Sequence, residues 1–78
     1  IPDMIILKPN GEYHGLILEL KSEDSSPYLK DGSLSKGQHI QEQNQTLTAL
    51  LNIGYYAVFI VGFNQAKEVI DNYMANKL

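Results

Sequence analysis

The sequence predicts one small α/β domain: a mixed sheet flanked by helices, with the element order β-β-α-β-α. Three observations carry this. Apolar, partly β-branched runs occupy residues 3–7, 13–21 and 55–61. Apolar residues recur at helical spacing after Ser35 and again after Asn64. Turn-forming or polar stretches separate these runs.

The first run, D-M-I-I-L, stops at Lys8-Pro9-Asn10-Gly11, a hairpin signal. The second, Y-H-G-L-I-L-E-L-K, is apolar on both faces through Leu16, Ile17, Leu18 and Leu20, so it belongs at the centre of a sheet covered on both sides. Residues 22–34 turn to Ser, Asp, Gly, Pro and Lys without periodicity, a length of connection that is often functional. Ser35 is placed to cap a helix reaching about Ile53, with Gly54 where a left-handed terminating residue is wanted. The apolar stripe of that helix is Ile40, Leu47, Leu50 and Leu51. The third strand, Y-Y-A-V-F-I-V, leads to a last helix capped by Asn64 and striped with Ala66, Val69, Ile70, Tyr73 and Met74. No internal repeat, low-complexity tract or interior domain boundary interrupts the chain.

Composition narrows the function classes. With 44% apolar and 19% charged residues the chain is globular rather than disordered. Its 78 residues bury only a thin core, and with no cysteine neither disulfides nor thiolate metal sites reinforce it. Self-association or further chain is the expected reinforcement. The sequence starts at Ile1 and a strand follows almost at once, so upstream residues are expected. No apolar run approaches the roughly 20 residues that span a bilayer, and no secretory pattern is present. A cytoplasmic location without a membrane partner is expected. The net charge is −3 and all six basic residues are lysines, a poor surface for holding nucleic acid by charge alone. Divalent cations would supply the missing positive charge at a phosphate.

Chemistry concentrates at the strand ends. Glu19 and Lys21 are two residues apart, so a strand points both to one face. A carboxylate and an ammonium at the end of an apolar strand cost free energy unless partnered. Whether Asp3 joins them depends on hairpin register. A three-residue loop at 10–12 makes paired residue numbers sum to 22 and sets Asp3 opposite Glu19; a two-residue Asn10-Gly11 turn makes them sum to 21 and sets Asp3 opposite Leu18, so a shared site requires the first register or an equivalent bulge. In the first register two facing carboxylates suit a hard cation such as Mg²⁺ or Mn²⁺, with Lys21 beside its water, which is machinery for cutting a phosphodiester. Gln43 lies three residues after Ile40 and four before Leu47 and interrupts the sheet-facing stripe. A buried amide needs partners, and Glu19, Lys21 or a bound water would serve. Gln38, Gln41 and Gln45 fit the stripe less well.

Pro2-Asp3, 15 intervening residues, then Glu19-Leu20-Lys21 resembles the PD-(D/E)xK signature. Ser35, Gln43, Gly54-Tyr55 and Gly62-Phe63 then follow in the order found in the VRR-NUC family, so the resemblance covers nearly the whole chain. It implies a restriction-endonuclease-like core over residues 1–78 and hydrolysis of DNA phosphodiester bonds. It also implies Mg²⁺ or Mn²⁺ held by Asp3, Glu19 and the Leu20 carbonyl, with Lys21 positioning or activating water and Gln43 orienting Lys21 or that water. Similarity to short, stand-alone, phage-like members implies a homodimer acting on branched DNA such as four-way junctions. Members usually carry a further acidic residue on a helix before the P-D strand, and such a helix is expected upstream. The rival expectation is a non-catalytic nucleic-acid or protein-binding module that keeps the fold.

The remaining polar residues invite plainer readings. His14 and His39 have no partner at ligand spacing and are expected at the surface or its boundary. Lys30 and Lys36 suit a solvated loop as well as a phosphate contact. Of the five tyrosines, Tyr28 is the one placed to stack on a base, the others being core or edge aromatics.

Overall fold

The computed structural model describes residues 2–78; Ile1, the first residue of the expected domain, lies outside them. The elements are β1 (Met4–Ile6), β2 (Leu16–Lys21), α1 (Gln38–Asn52), β3 (Tyr56–Val61) and α2 (Phe63–Met74), in the β-β-α-β-α order read from the pattern. The three strands form one mixed sheet in the order β1-β2-β3, antiparallel between the first pair and parallel between the second. The two-sided apolar strand β2 is therefore central. Parallel neighbours need a crossover, and α1 provides it between β2 and β3.

Met4 pairs with Leu18, Ile5 with Ile17 and Ile6 with Leu16, the register that sets Asp3 opposite Glu19. The chain reaches it by a different route from the three-residue loop at 10–12. Asn10 and Tyr13 exchange both backbone hydrogen bonds at 3.0 Å around a two-residue turn, with Gly11 at φ 59°. Between that bridge and the Ile6–Leu16 pair, residues 7–9 face only residues 14–15. The extra residue shifts the pairing by one, as a bulge does, and Pro9 sits where a missing N–H costs no ladder bond.

Side chains of β2 alternate between two helices. Leu16 and Leu18 pack with Ile60 and Tyr73 beneath Ala66, Val69 and Ile70 of α2. Ile17 turns the other way, to Leu47, Ala57 and Phe59, with Ile40 and Leu50 of α1. Leu51 and Met74, both placed on the apolar stripes by spacing, are each 44% exposed and lie off the buried faces.

Helix ends follow backbone chemistry. α1 starts at Gln38, not directly after Ser35; the Ser35 hydroxyl accepts the Gly37 N–H at 3.2 Å and its carbonyl accepts from Gln41 Nε2 at 2.6 Å, so Ser35 braces the approach instead of capping the helix. The end is as expected. Gly54, at φ 103°, donates to the Leu51 carbonyl (3.1 Å) while Tyr55 donates to that of Leu50 (3.0 Å), the Schellman arrangement. α2 starts at Phe63 with Gly62 as its N-cap, so Asn64 lies inside the first turn and caps nothing. Asn76, at φ 58°, ends α2 by the same pair of bonds. The hairpin clamps that end: Asn10 Nδ2 donates to the carbonyls of Tyr73 (2.5 Å) and Met74 (3.2 Å), and the Tyr73 hydroxyl donates to that of Lys8 (2.7 Å). Within the 22–34 connection, a 3₁₀ turn at Glu23–Ser25, buried Pro27 and a Tyr28–Leu34 bridge tie the chain down locally. Among the described residues no helix is long and apolar enough to cross a membrane.

Gly54→Ala should test how far the α1–β3 junction depends on its backbone. A Cβ there would collide with the His14 imidazole on a residue already at φ 103°. A loss of about 1–3 kcal/mol is expected, read as a lower urea midpoint; an unchanged midpoint would refute it.

Candidate functional site

Alternation along the strands gathers the candidate acids and the lysine on one face. Leu16 and Leu18 pack toward α2, so Ile17, Glu19 and Lys21 face α1. Met4 and Ile6 join the α2 face, which turns Asp3 and Ile5 to the α1 side. Glu19, 6% exposed, is the one buried polar or charged side chain recorded among the described residues; Lys21 is half-buried and Asp3 exposed.

The P-D pair at the start of β1 has a physical role in this register. Lys21 and Gly15 turn their carbonyls toward β3, accepting from Gly62 and Tyr56 at 3.0 Å, so Leu20 turns its backbone groups toward β1. The residue that the register sets opposite Leu20 is Pro2, which has no N–H to give. The Leu20 N–H, which does not depend on that missing donor, goes to Asp3 Oδ2 at 2.8 Å. The Leu20 carbonyl has no ladder donor from Pro2, and it points to the side on which Asp3 sits.

From α1, Gln43 Nε2 donates to Glu19 Oε1 at 2.9 Å. Its Oε1 is buried without a partner, an omission that costs about 1–3 kcal/mol unless a donor arrives. Burial raises the Glu19 pKa above its ordinary value, and the neighbouring Asp3 carboxyl raises it further through charge and hydrogen bonding, while the Lys21 charge opposes both. Lys21 forms no salt bridge with either acid; among the described residues the recorded ion pair is Lys67–Asp71 on exposed α2 surface.

The oxygen groups that could meet a hard cation here are the Asp3 and Glu19 carboxylates and the Leu20 carbonyl. No group of three or more His, Cys, Asp or Glu able to hold an ion is found among the described residues, which rules against a closed all-protein cage. Two carboxylates and a main-chain carbonyl correspond to the way Mg²⁺ is held, with waters and substrate oxygens completing the shell. The carboxylate pair that repels itself, and the orphaned Gln43 oxygen that lacks a donor, would both be relieved by an ion and its water.

Beside this cluster lies a pocket of about 230 Å³ lined by Pro2, Glu19, His39, Glu42, Gln43 and Thr46. His39, read from sequence as a surface residue, is exposed and also lines this pocket. The signal was its spacing of four from Gln43, one helical turn away on the same face. His14 lies at the opposite end of the hairpin strand, edge-on to Tyr55 with ring centroids 5.8 Å apart. Tyr28 packs edge-on against Phe59 (6.3 Å) and stays 46% exposed. Lys30 and Lys36 are exposed. A larger groove, about 870 Å³, opens on the α2 face; it shares only Leu20 and Lys21 with the candidate set, and its walls, including Met4, Ile60 and Phe63, are largely apolar.

The chain matches no family model, no curated protein and no solved structure.

The raised Glu19 pKa has a testable sign. Folded Glu19 holds its proton more tightly than unfolded Glu19, so the native state loses stability as pH rises from the ordinary carboxyl value of 4.5 through the folded value. In chelator-treated buffer, Glu19→Gln should melt higher than wild type at neutral pH, because it keeps an acceptor for Gln43 and removes the buried charge. The difference should fade as pH falls through that window. A variant that melts lower at neutral pH would show the ionised carboxylate to be stabilising.

Proposed function

We propose that the chain is a metal-dependent endonuclease that hydrolyses DNA phosphodiester bonds, with the restriction-endonuclease-like core of the PD-(D/E)xK superfamily and the VRR-NUC pattern. The observation that carries this reading is the register: Asp3 stands opposite Glu19 on the face that Lys21 shares and Gln43 covers. Mg²⁺ or Mn²⁺, held by Asp3, Glu19 and the Leu20 carbonyl, would polarise the scissile phosphate and lower the pKa of water. Lys21, free of a salt bridge, positions the attacking water and balances negative charge growing on the phosphoryl oxygens. Gln43 holds Glu19 through its amide nitrogen and offers Oε1 to that water or to Lys21.

Binding follows the same logic. With a net charge of −3 the chain has little cationic surface to spread over a duplex, so contact is concentrated at the site itself. A homodimer would bring two such sites to branched DNA, cutting strands in pairs, and a cytoplasmic location supplies both DNA and Mg²⁺. A non-catalytic nucleic-acid or protein-binding module that keeps the fold is the second reading, favoured by one observation, the lack of a three-ligand group among the described residues.

Two measurements separate these readings. Mn²⁺ should raise the melting temperature of the wild type and much less that of Asp3→Ala. Mg²⁺-dependent cleavage of a synthetic four-way junction, compared with linear duplex, should fall about 100-fold or more in Lys21→Ala. Full activity in that variant would remove the assignment of Lys21 and with it the enzyme; a wild type that binds junction DNA without cutting it would establish the binding module.

A further inference from the structure

The pocket beside Glu19 has an unequal inventory of donors and acceptors. α1 presents His39, Glu42 with Gln43, and Thr46 to it, one turn after another, and Pro2 and Glu19 form the opposite wall. Most of these groups are acceptors or already engaged. Glu19 Oε1 accepts from Gln43, and Glu42 Oε1 accepts from Gln38 Nε2 at 3.0 Å. Thr46 Oγ1 donates to the Glu42 carbonyl at 3.3 Å, and the spare oxygen of Gln43 is again an acceptor. An anionic phosphodiester facing only these walls would be repelled. Lys21 is not part of the lining, so its ammonium acts from outside the pocket.

His39 is the exception. Its imidazole lines the pocket, carries an N–H in either neutral tautomer, and has no hydrogen-bond partner recorded among the described residues. It is also solvent-exposed, so an incoming strand meets it without displacing packed structure. We propose that His39 is a substrate-binding residue, donating from its ring to a non-bridging oxygen of the phosphodiester held beside Glu19. The inference rests on the nuclease reading above and deepens it: the phosphate is gripped from two sides, by the cation at Asp3 and Glu19 and by the imidazole on α1. The residue is not a metal ligand in this scheme, which separates it from the acids.

The test compares wild type, His39→Ala and His39→Gln on a labelled synthetic four-way junction and on linear duplex. Binding is read in Ca²⁺ and cleavage in Mg²⁺. His39→Ala should weaken Kd and raise KM roughly tenfold, the effect of one hydrogen bond to a charged group, with a smaller change in kcat. His39→Gln keeps an N–H donor and should recover part of the loss. The Mn²⁺-induced rise in melting temperature should persist in both variants. Wild-type Kd and KM in His39→Ala, beside an active wild type and an inactive Lys21→Ala, would overturn the inference alone. So would loss of the Mn²⁺ response, which would make His39 a ligand. A wild type that neither binds nor cuts DNA would remove the nuclease reading and this inference together.

Discussion

The pairing of β1 with β2 is the constraint on which the rest of the site depends. A strand has a side-chain period of two, so the pairing decides not merely which residues are neighbours but which face each one reaches. Here it places Asp3 across from Glu19 and Pro2 across from Leu20. The first consequence is electrostatic: two carboxyls share one edge of the sheet, and burial together with that proximity disfavours ionisation of Glu19. The second concerns the backbone. The Asp3 side chain accepts the Leu20 N–H at the end of the ladder, and because proline offers no N–H the Leu20 carbonyl has no ladder donor from Pro2.

A domain this small holds such an arrangement by distributing its ties. β2 contributes Leu16 and Leu18 to one helix and Ile17 to the other, so both layers pack on a single strand. The turn at the far end of the hairpin binds the end of α2 through Asn10 and Tyr73, fixing the orientation of the strand that carries Asp3. Gln43 then joins α1 directly to the one buried carboxylate. Each layer is connected to the hairpin by a polar contact in addition to apolar packing, which suits a thin core.

Much of this was legible in the residues. The two-sided apolar character of β2 implied its central position, helical spacing located both helices, and interruption of a stripe singled out Gln43. Less legible were features set by backbone geometry. Ser35 looked like a cap, yet its hydroxyl serves the Gly37 N–H two residues on and the helix begins later. Asn64 also looked like a cap, while Gly62, at φ 84°, makes the turn into α2. The shared site required the register that sets Asp3 opposite Glu19, by a three-residue loop or an equivalent bulge, but where the extra residue falls between the last ladder pair and the turn is not encoded in composition. His39 was passed over because its relation to Glu19 is tertiary: a strand end and the first turn of a helix meet across a pocket that no local pattern describes.

The surplus residue at 7–9 decouples the turn from the strand pairing. Three positions on one arm of the hairpin oppose two on the other, whereas regular pairing outward from the Asn10–Tyr13 bridge would set Met4 opposite Glu19 and turn Asp3 to the reverse face. Shortening that arm by one residue with the turn retained would leave two positions facing two, so Ile6 would still meet Leu16 and the two acids would stay in phase. The stretch therefore has slack in length as well as in residue type: a gene could lose one codon there and keep the arrangement of its acids.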